Sequence, residues 1–333
     1  MYFKGMKNCE RAGESTLNNS FISTESTVQE SFADEETRFI IPVHLESEDI
    51  SWLVILIIII AFGILANLTT IGIIIRLKQF HKPTYMVIGA LAIADFVSLI
   101  QYLCHLILAK TNRNCVDNNG RIFMTVIYST AHASASHVVL LLGLRYYLIA
   151  VPLRSRTIRK RHVLTLSILM WIFSVVFGVI YYFARFNVAR NKIAIVVLVF
   201  RGYLVLVPCI FMLVFHMTKI YKLRTSISGF RISQYVRRMS AMILIIMVIY
   251  IFSAIIFPIT FSLNFFKVLS ERESKVIQIC ARVVWLFNLS VNPIIYFIYS
   301  PKVRRSVTVL WKSDLTLRRA SRYSACNLRS STC

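Results

Sequence analysis

Asn292-Pro293-Ile294-Ile295-Tyr296 closes an apolar stretch and runs almost directly into a basic segment. Its polar residues do not suit a helix that faces only lipid. Pro293 withholds a backbone N–H and bends the helix. Asn292 and the Tyr296 hydroxyl need hydrogen-bond partners that hydrocarbon does not supply. A segment carrying all three needs a polar interior, built by other helices and water, to receive them.

Those other helices are visible in the composition. The chain has 333 residues, is 57% hydrophobic and carries a formal net charge of +23. Soluble domains average about 45–50% apolar residues. Runs such as Ser51 to Ile75 match the roughly 20 residues needed to cross a bilayer. A basic nucleic-acid binder would have to hide such runs in a soluble core. Membrane lipid, and not nucleic acid, is therefore the expected partner. Seven spans are predicted, at 52–76, 84–108, 121–149, 163–184, 194–221, 239–263 and 274–299. The fold class is an all-α membrane protein, a seven-transmembrane helix bundle with a short amphipathic eighth helix.

Charge sets the orientation. With the amino terminus outside, the inner segments hold 23 of the 38 basic residues and a single acid, Asp314. The outer side takes 13 of the 15 acids. This positive-inside bias predicts a multi-pass membrane protein with its amino terminus outside and its tail cytoplasmic. Residues 1–50 read as a disordered extracellular arm, with Asn18 in a glycosylation sequon. Residues 51–300 form the bundle, 301–313 the membrane-surface helix and 314–333 the tail. Ser300-Pro301 suits the start of that surface helix, whose Val303, Val307, Leu310 and Trp311 share one face. Arg318-Arg319-Ala320-Ser321 reads as a basophilic-kinase site, so phosphorylation of Ser321 is expected to add negative charge to the basic tail; a tether to anionic lipid is the alternative. The seven cysteines are no disulfide framework; Cys9, Cys104 and Cys115 are those placed to meet outside.

The polar punctuation of the spans resembles the rhodopsin-like (class A) G-protein-coupled receptors, over roughly residues 52–312. Gly63-Ile64-Leu65-Ala66-Asn67 resembles the family's Gly-x-x-x-Asn, and Leu91-Ala92-Ile93-Ala94-Asp95 its Leu-Ala-x-x-Asp. Leu144-Arg145-Tyr146 stands for Asp-Arg-Tyr, Trp171 for the tryptophan of span four and Pro208 for the proline of span five. Phe252 and Pro258 match part of the span-six pattern, and Asn288 with Asn292 to Tyr296 completes span seven. The resemblance implies a receptor, not an enzyme, that binds an extracellular ligand and activates a heterotrimeric G protein. It assigns activation and coupling to Arg145, Tyr146, Pro208, His216, Phe252, Pro258, Pro293 and Tyr296. It also implies that Asn67, Ser134, Asn288 and Asn292 converge on Asp95, where the family binds an allosteric sodium ion; a protonated Asp95 in a buried hydrogen-bond network is the alternative, and no other cofactor is expected.

Departures from the family pattern carry information. Leu144 replaces the acid that restrains the neighbouring arginine, and Arg238 stands where some relatives have a glutamate. Raised basal signalling is the expectation; a weakly coupling or decoy receptor is the alternative. Ile255-Ile256-Phe257-Pro258 lacks the family's tryptophan, and Ala135 replaces a larger aliphatic expected between Pro208 and Phe252. Span seven has no lysine for retinal, and Ile127 stands where amine receptors have an aspartate. The outer half instead carries Arg201 and Arg282, with Arg121, Arg185, Arg190, Lys192 and Lys275 around the mouth. Guanidinium groups suit carboxylate or phosphate, so the ligand is expected to present an acidic or acceptor-rich end; snorkelling to headgroups is the alternative. Tyr128, Phe200, Tyr203 and Trp285 would form an aromatic wall. A short peptide, as for a neuropeptide receptor, is the favoured ligand, and an acidic lipid or small metabolite the alternative. A seven-span zinc hydrolase is a distant reading: His132 and His137 diverge by about 140° around a helix.

Overall fold

The computed structural model describes residues 50–111, 113–150, 158–188, 192–226, 234–265, 268–306 and 308. Seven of its helices are long and apolar enough to cross a membrane. They are α1 (Ile50–Arg76), α2 (Pro83–Thr111), α3 (Arg113–Ala150), α4 (Lys160–Phe186), α5 (Ile193–Ser226), α6 (Gln234–Phe265) and α7 (Glu271–Tyr299). The sequence-predicted spans all lie within them to within a few residues. Outside the described residues lie Asn18, Cys9, Arg190, Ser321, Cys326, the remainder of the surface helix including Trp311, and the tail. So do the side chains of Cys115 and Arg121.

Burial follows polarity. In the least apolar spans, those of α3 and α7, 61% of an 18-residue apolar window lies inside the bundle, against 22% in the more apolar α1 and α5; α6, the most apolar, departs from this at 41%. Lipid accepts an all-apolar surface, so the helices that carry amides, hydroxyls and charges take the centre.

Three glycines permit close helix approaches. A Cβ on Gly63 of α1 would fall on the Ser290 hydroxyl of α7, and one on Gly178 of α4 on the Ser129 hydroxyl of α3. A Cβ on Gly143 of α3 would stand 3.3 Å from the Phe215 ring of α5. Ser290 Oγ donates to Leu286 O at 2.8 Å within α7, and also lies 3.2 Å from Ile59 O of α1.

Prolines interrupt α5, α6 and α7 at Pro208, Pro258 and Pro293. Each removes the N–H that would bond the carbonyl four residues earlier. For Pro293 that carbonyl belongs to Leu289, and Asn67 Nδ2 of α1 donates to it at 3.0 Å. At the start of α7, Ser270 and Glu273 form a reciprocal capping box. After α7, residues 301–306 are helical, with Val303 N reaching Ser300 Oγ at 3.4 Å as an N-cap. Gln79 ties this short helix to the first inner turn through Ser306 at 2.7 Å.

Candidate functional site

The outer half of the bundle encloses a cavity of about 70 Å³, lined by Tyr102, Ile127, Tyr128, Arg201, Tyr250 and Trp285 among others. Water needs at least about 10–15 Å³ of such room, so a handful of waters or the end of one molecule fits. Arg201 is 5% exposed and donates through Nε to the Tyr128 hydroxyl at 3.2 Å. Arg282 is 6% exposed; its guanidinium and that of Arg201 lie within electrostatic reach of the Tyr102 hydroxyl. Both side chains therefore turn into the bundle and neither snorkels to the surface. Arg201 lines the cavity itself, while Arg282 stands beside Tyr102 and His105. Between Asp117 and Glu271 the sequence contains no acid, so helices α4, α5 and α6 bring no carboxylate to this site.

The aromatic wall divides in two. Tyr128 and Trp285 line the cavity. Tyr203 does not: it faces α4, with its ring centroid 5.0 Å from Phe177 and 5.9 Å from His132. Phe200 joins the same α3–α4–α5 cluster against Phe177 and Tyr181. Two positions separate Tyr203 from Arg201, which turns them about 200° apart on a helix, so both cannot face one cavity.

At the cavity floor lies a residue that family resemblance missed. Phe252, expected inside, is 60% exposed on the outer surface of α6, whereas Tyr250 is 3% exposed and packs in the central core with Ala135, Met212 and Ala254. The expectation for Phe252 is corrected by a helix turned by two positions. A phenyl ring faces lipid without cost, but a tyrosine hydroxyl needs an acceptor. Tyr250 finds one in Leu204 O of α5, at 3.0 Å.

Deeper in the bundle, Asp95 is fully buried and accepts from Ser134 Oγ at 2.7 Å and Asn292 Nδ2 at 2.8 Å. Asn288 is buried one turn before Asn292 on α7. Asn67 departs from the expected convergence, because its amide N–H groups serve Gly63 O and Leu289 O. Pro293 explains the departure, since it frees the Leu289 carbonyl. Asn67 Oδ1, Asn292 Oδ1 and the Tyr296 hydroxyl are buried without a hydrogen-bond partner among the described residues. The Asp95 carboxylate, the Ser134 hydroxyl and the amide oxygens of Asn288 and Asn292 make an all-oxygen set, which fits a hard cation.

Toward the inner end, Leu144 is buried in the core and Arg145 is partly buried. Lys219 of α5, 3% exposed, lies within electrostatic reach of Arg145 and of His216. Three cationic or titratable groups thus gather where α3 meets α5. Tyr146 stacks toward Phe215 at 6.1 Å. His216 Nδ1 is buried without a hydrogen-bond partner among the described residues. Cys104, one of the three cysteines placed to meet outside, is a free thiol. No cluster of three or more His, Cys, Asp or Glu suited to a metal occurs among the described residues.

A search among curated proteins returns no match. The family model described as 7 transmembrane receptor (rhodopsin family) matches residues 66–296, more than two thirds of the chain. That stretch runs from the second half of α1 to the last turn of α7 and includes Asn67, Asp95, Ser134, Asn288 and Asn292. The chain belongs to the rhodopsin family of seven-transmembrane receptors, a non-enzymatic family whose members pair an extracellular ligand with a G protein.

Proposed function

We propose that this receptor binds a short peptide through an acidic or acceptor-rich end, seated in the outer cavity against Arg201. The observation that carries the reading is the Arg201 guanidinium, 5% exposed in the wall of a small, otherwise mainly apolar cavity. Burying a cation is costly, and a carboxylate or phosphate entering the cavity offsets that cost with charge-assisted hydrogen bonds. Arg282 and Tyr102 extend the same polar side. The cavity's size accommodates one end of a ligand, leaving the remainder outside it toward the extracellular ends of the helices.

Binding there shifts α5, α6 and α7 and opens the inner cleft around Arg145 for a heterotrimeric G protein, in a plasma-membrane protein whose amino terminus is extracellular. The ligand drives this only through a difference in affinity between the two arrangements. Ser321 phosphorylation and arrestin binding would end the signal. The oxygen set at Asp95, Ser134, Asn288 and Asn292 would hold a sodium ion, which supplies positive charge against the Asp95 carboxylate and favours the resting arrangement.

The test is a peptide-library screen in cells carrying promiscuous G-protein reporters, followed by variants of the cavity. Arg201→Ala should cost agonist potency about 10- to 150-fold, the worth of a charge-assisted hydrogen bond. Arg201→Lys should recover part of it, because lysine keeps the charge but loses the planar fork. Full potency in Arg201→Ala and Arg282→Ala together would end the anionic-end proposal. Activation by an acidic lipid or small metabolite, with every peptide silent, would replace the peptide.

A further inference from the structure

We propose that Tyr250 is the positioning residue through which the outer cavity controls how α6 sits against α5. It does so by supplying the hydrogen bond that Pro208 removes from the α5 backbone.

In a regular helix the Leu204 carbonyl would accept the N–H of residue 208. Proline has none. The Tyr250 hydroxyl, from the neighbouring helix, donates to that carbonyl at 3.0 Å. The ring is 3% exposed, so water does not readily substitute for it. Tyr250, its acceptor residue Leu204, and Ala254 and Pro258 of α6 all line the same cavity as Arg201 and Tyr128. A ligand that reaches the cavity floor therefore meets the ring whose hydroxyl ties the two helices together.

The side chains near the ring are small on one side. Ala131 of α3 lines the cavity, and Ala135 and Ala254 pack in the same core as Tyr250. Displacing the ring leaves a carbonyl without its donor, which favours any relative motion of α5 and α6 that exposes it to water. The chain uses the same chemistry a second time, in a separate place. Asn67 of α1 donates to Leu289 O, the carbonyl freed by Pro293. In both cases a side chain from an adjacent helix takes over a bond that a proline has vacated.

The role of Tyr250 in signalling rests on the proposal that a ligand occupies the outer cavity, but its test needs no ligand. The full-length receptor is purified into lipid nanodiscs with spin labels at Met217 and Leu244, both lipid-exposed, introduced through unnatural amino acids to spare the native cysteines. The populations of the α5–α6 distances are then compared across a double-mutant cycle of Tyr250→Phe and Pro208→Ala. Tyr250→Phe removes one oxygen and should change the population ratio by about 2- to 13-fold, the net effect of one hydrogen bond. Pro208→Ala returns an N–H to Leu204, so in that background Tyr250→Phe should leave the ratio unchanged. Equal changes in the two backgrounds, or none in the native one, would overturn the proposal. If Pro208→Ala does not fold, the comparison is with Tyr147→Phe on α3. A larger shift from Tyr250→Phe supports the tie, and an equal or smaller one overturns it. Loss of the anionic-ligand reading would show in Arg201 variants while leaving this cycle intact.

Discussion

Replacing Gly178 by alanine should unfold the receptor at a lower temperature, while the same change at Gly72 should do the reverse. A Cβ at Gly178 would fall on the Ser129 hydroxyl, 2.8 Å from the Thr125 carbonyl oxygen and 3.1 Å from Ser129 Cβ. The hydroxyl can rotate away, but it then gives up its 2.9 Å bond to Thr125 O, worth about 1 kcal/mol. The Thr125 carbonyl is backbone and cannot rotate, so α3 and α4 must separate locally. Such overpacking costs about 1–3 kcal/mol, from which the alanine's helical advantage of about 0.5–1 kcal/mol is subtracted. The net loss is therefore roughly 1–3 kcal/mol. A Cβ at Gly72 or Gly202 meets nothing within 4 Å, so only the helical gain remains. Thermal unfolding of purified receptor in nanodiscs reads the difference. At about 2–4 °C per kcal/mol for a bundle of this size, Gly178→Ala should melt about 2–12 °C lower and Gly72→Ala about 1–4 °C higher. If Gly178→Ala melted at or above Gly72→Ala, the close α3–α4 approach would not exist as described.

Two further outcomes follow from the buried polar groups. Sodium chloride should raise the melting temperature of the native receptor in a graded way as its concentration rises, and choline chloride should not. In Asp95→Asn that sodium dependence should vanish, and its persistence would remove Asp95 from the ion site. Basal signalling should exceed that of empty cells at matched surface expression, because Leu144 supplies no restraint to Arg145 and Lys219 adds like charge nearby. Leu144→Asp should lower it several-fold, on the scale of a charge-assisted hydrogen bond; a basal signal already at background would refute the idea.

The spans were legible because lipid imposes a simple demand: each helix must be long and apolar, and its costly residues must turn inward. Asp95, Ser134 and Asn292 obeyed it and met where polar residues in a bilayer have to meet. Orientation within α6 was not legible in the same way. Its inner face is marked only by the small hydroxyl-bearing set Tyr250, Ser253 and Thr260, all buried, and the family pattern placed Phe252 inward. Of those hydroxyls the one on Tyr250 has its partner on a different helix, a carbonyl of α5. Counting four residues back from Pro208 identifies the acceptor, but nothing in the sequence says that α6 lies beside it. Asn67 was misassigned for a related reason. Its proximity to Asp95 in the family suggested the carboxylate as partner, while the vacancy left by Pro293 offered a carbonyl that had no other donor of its own helix.

The three internal prolines then acquire a common meaning. They lie in α5, α6 and α7, the helices whose movement the proposed function requires. A helix without proline satisfies its own backbone, so a neighbour's side chain adds only a second bond to a carbonyl already paired, as Ser290 does at Ile59 O and Gln101 at Phe123 O. A helix with proline carries one carbonyl whose bonding depends on another helix, so its position becomes coupled to that partner's. Leu289 is coupled to α1 through Asn67, and Leu204 to α6 through Tyr250. The third such carbonyl belongs to Ala254, a residue that lines the outer cavity. A ligand that brings a donor as well as an acidic end would therefore find two backbone acceptors of this kind around the cavity floor, on α5 and on α6. Competition for them would convert occupancy of a small cavity into a change in helix position, without the tryptophan that relatives place there.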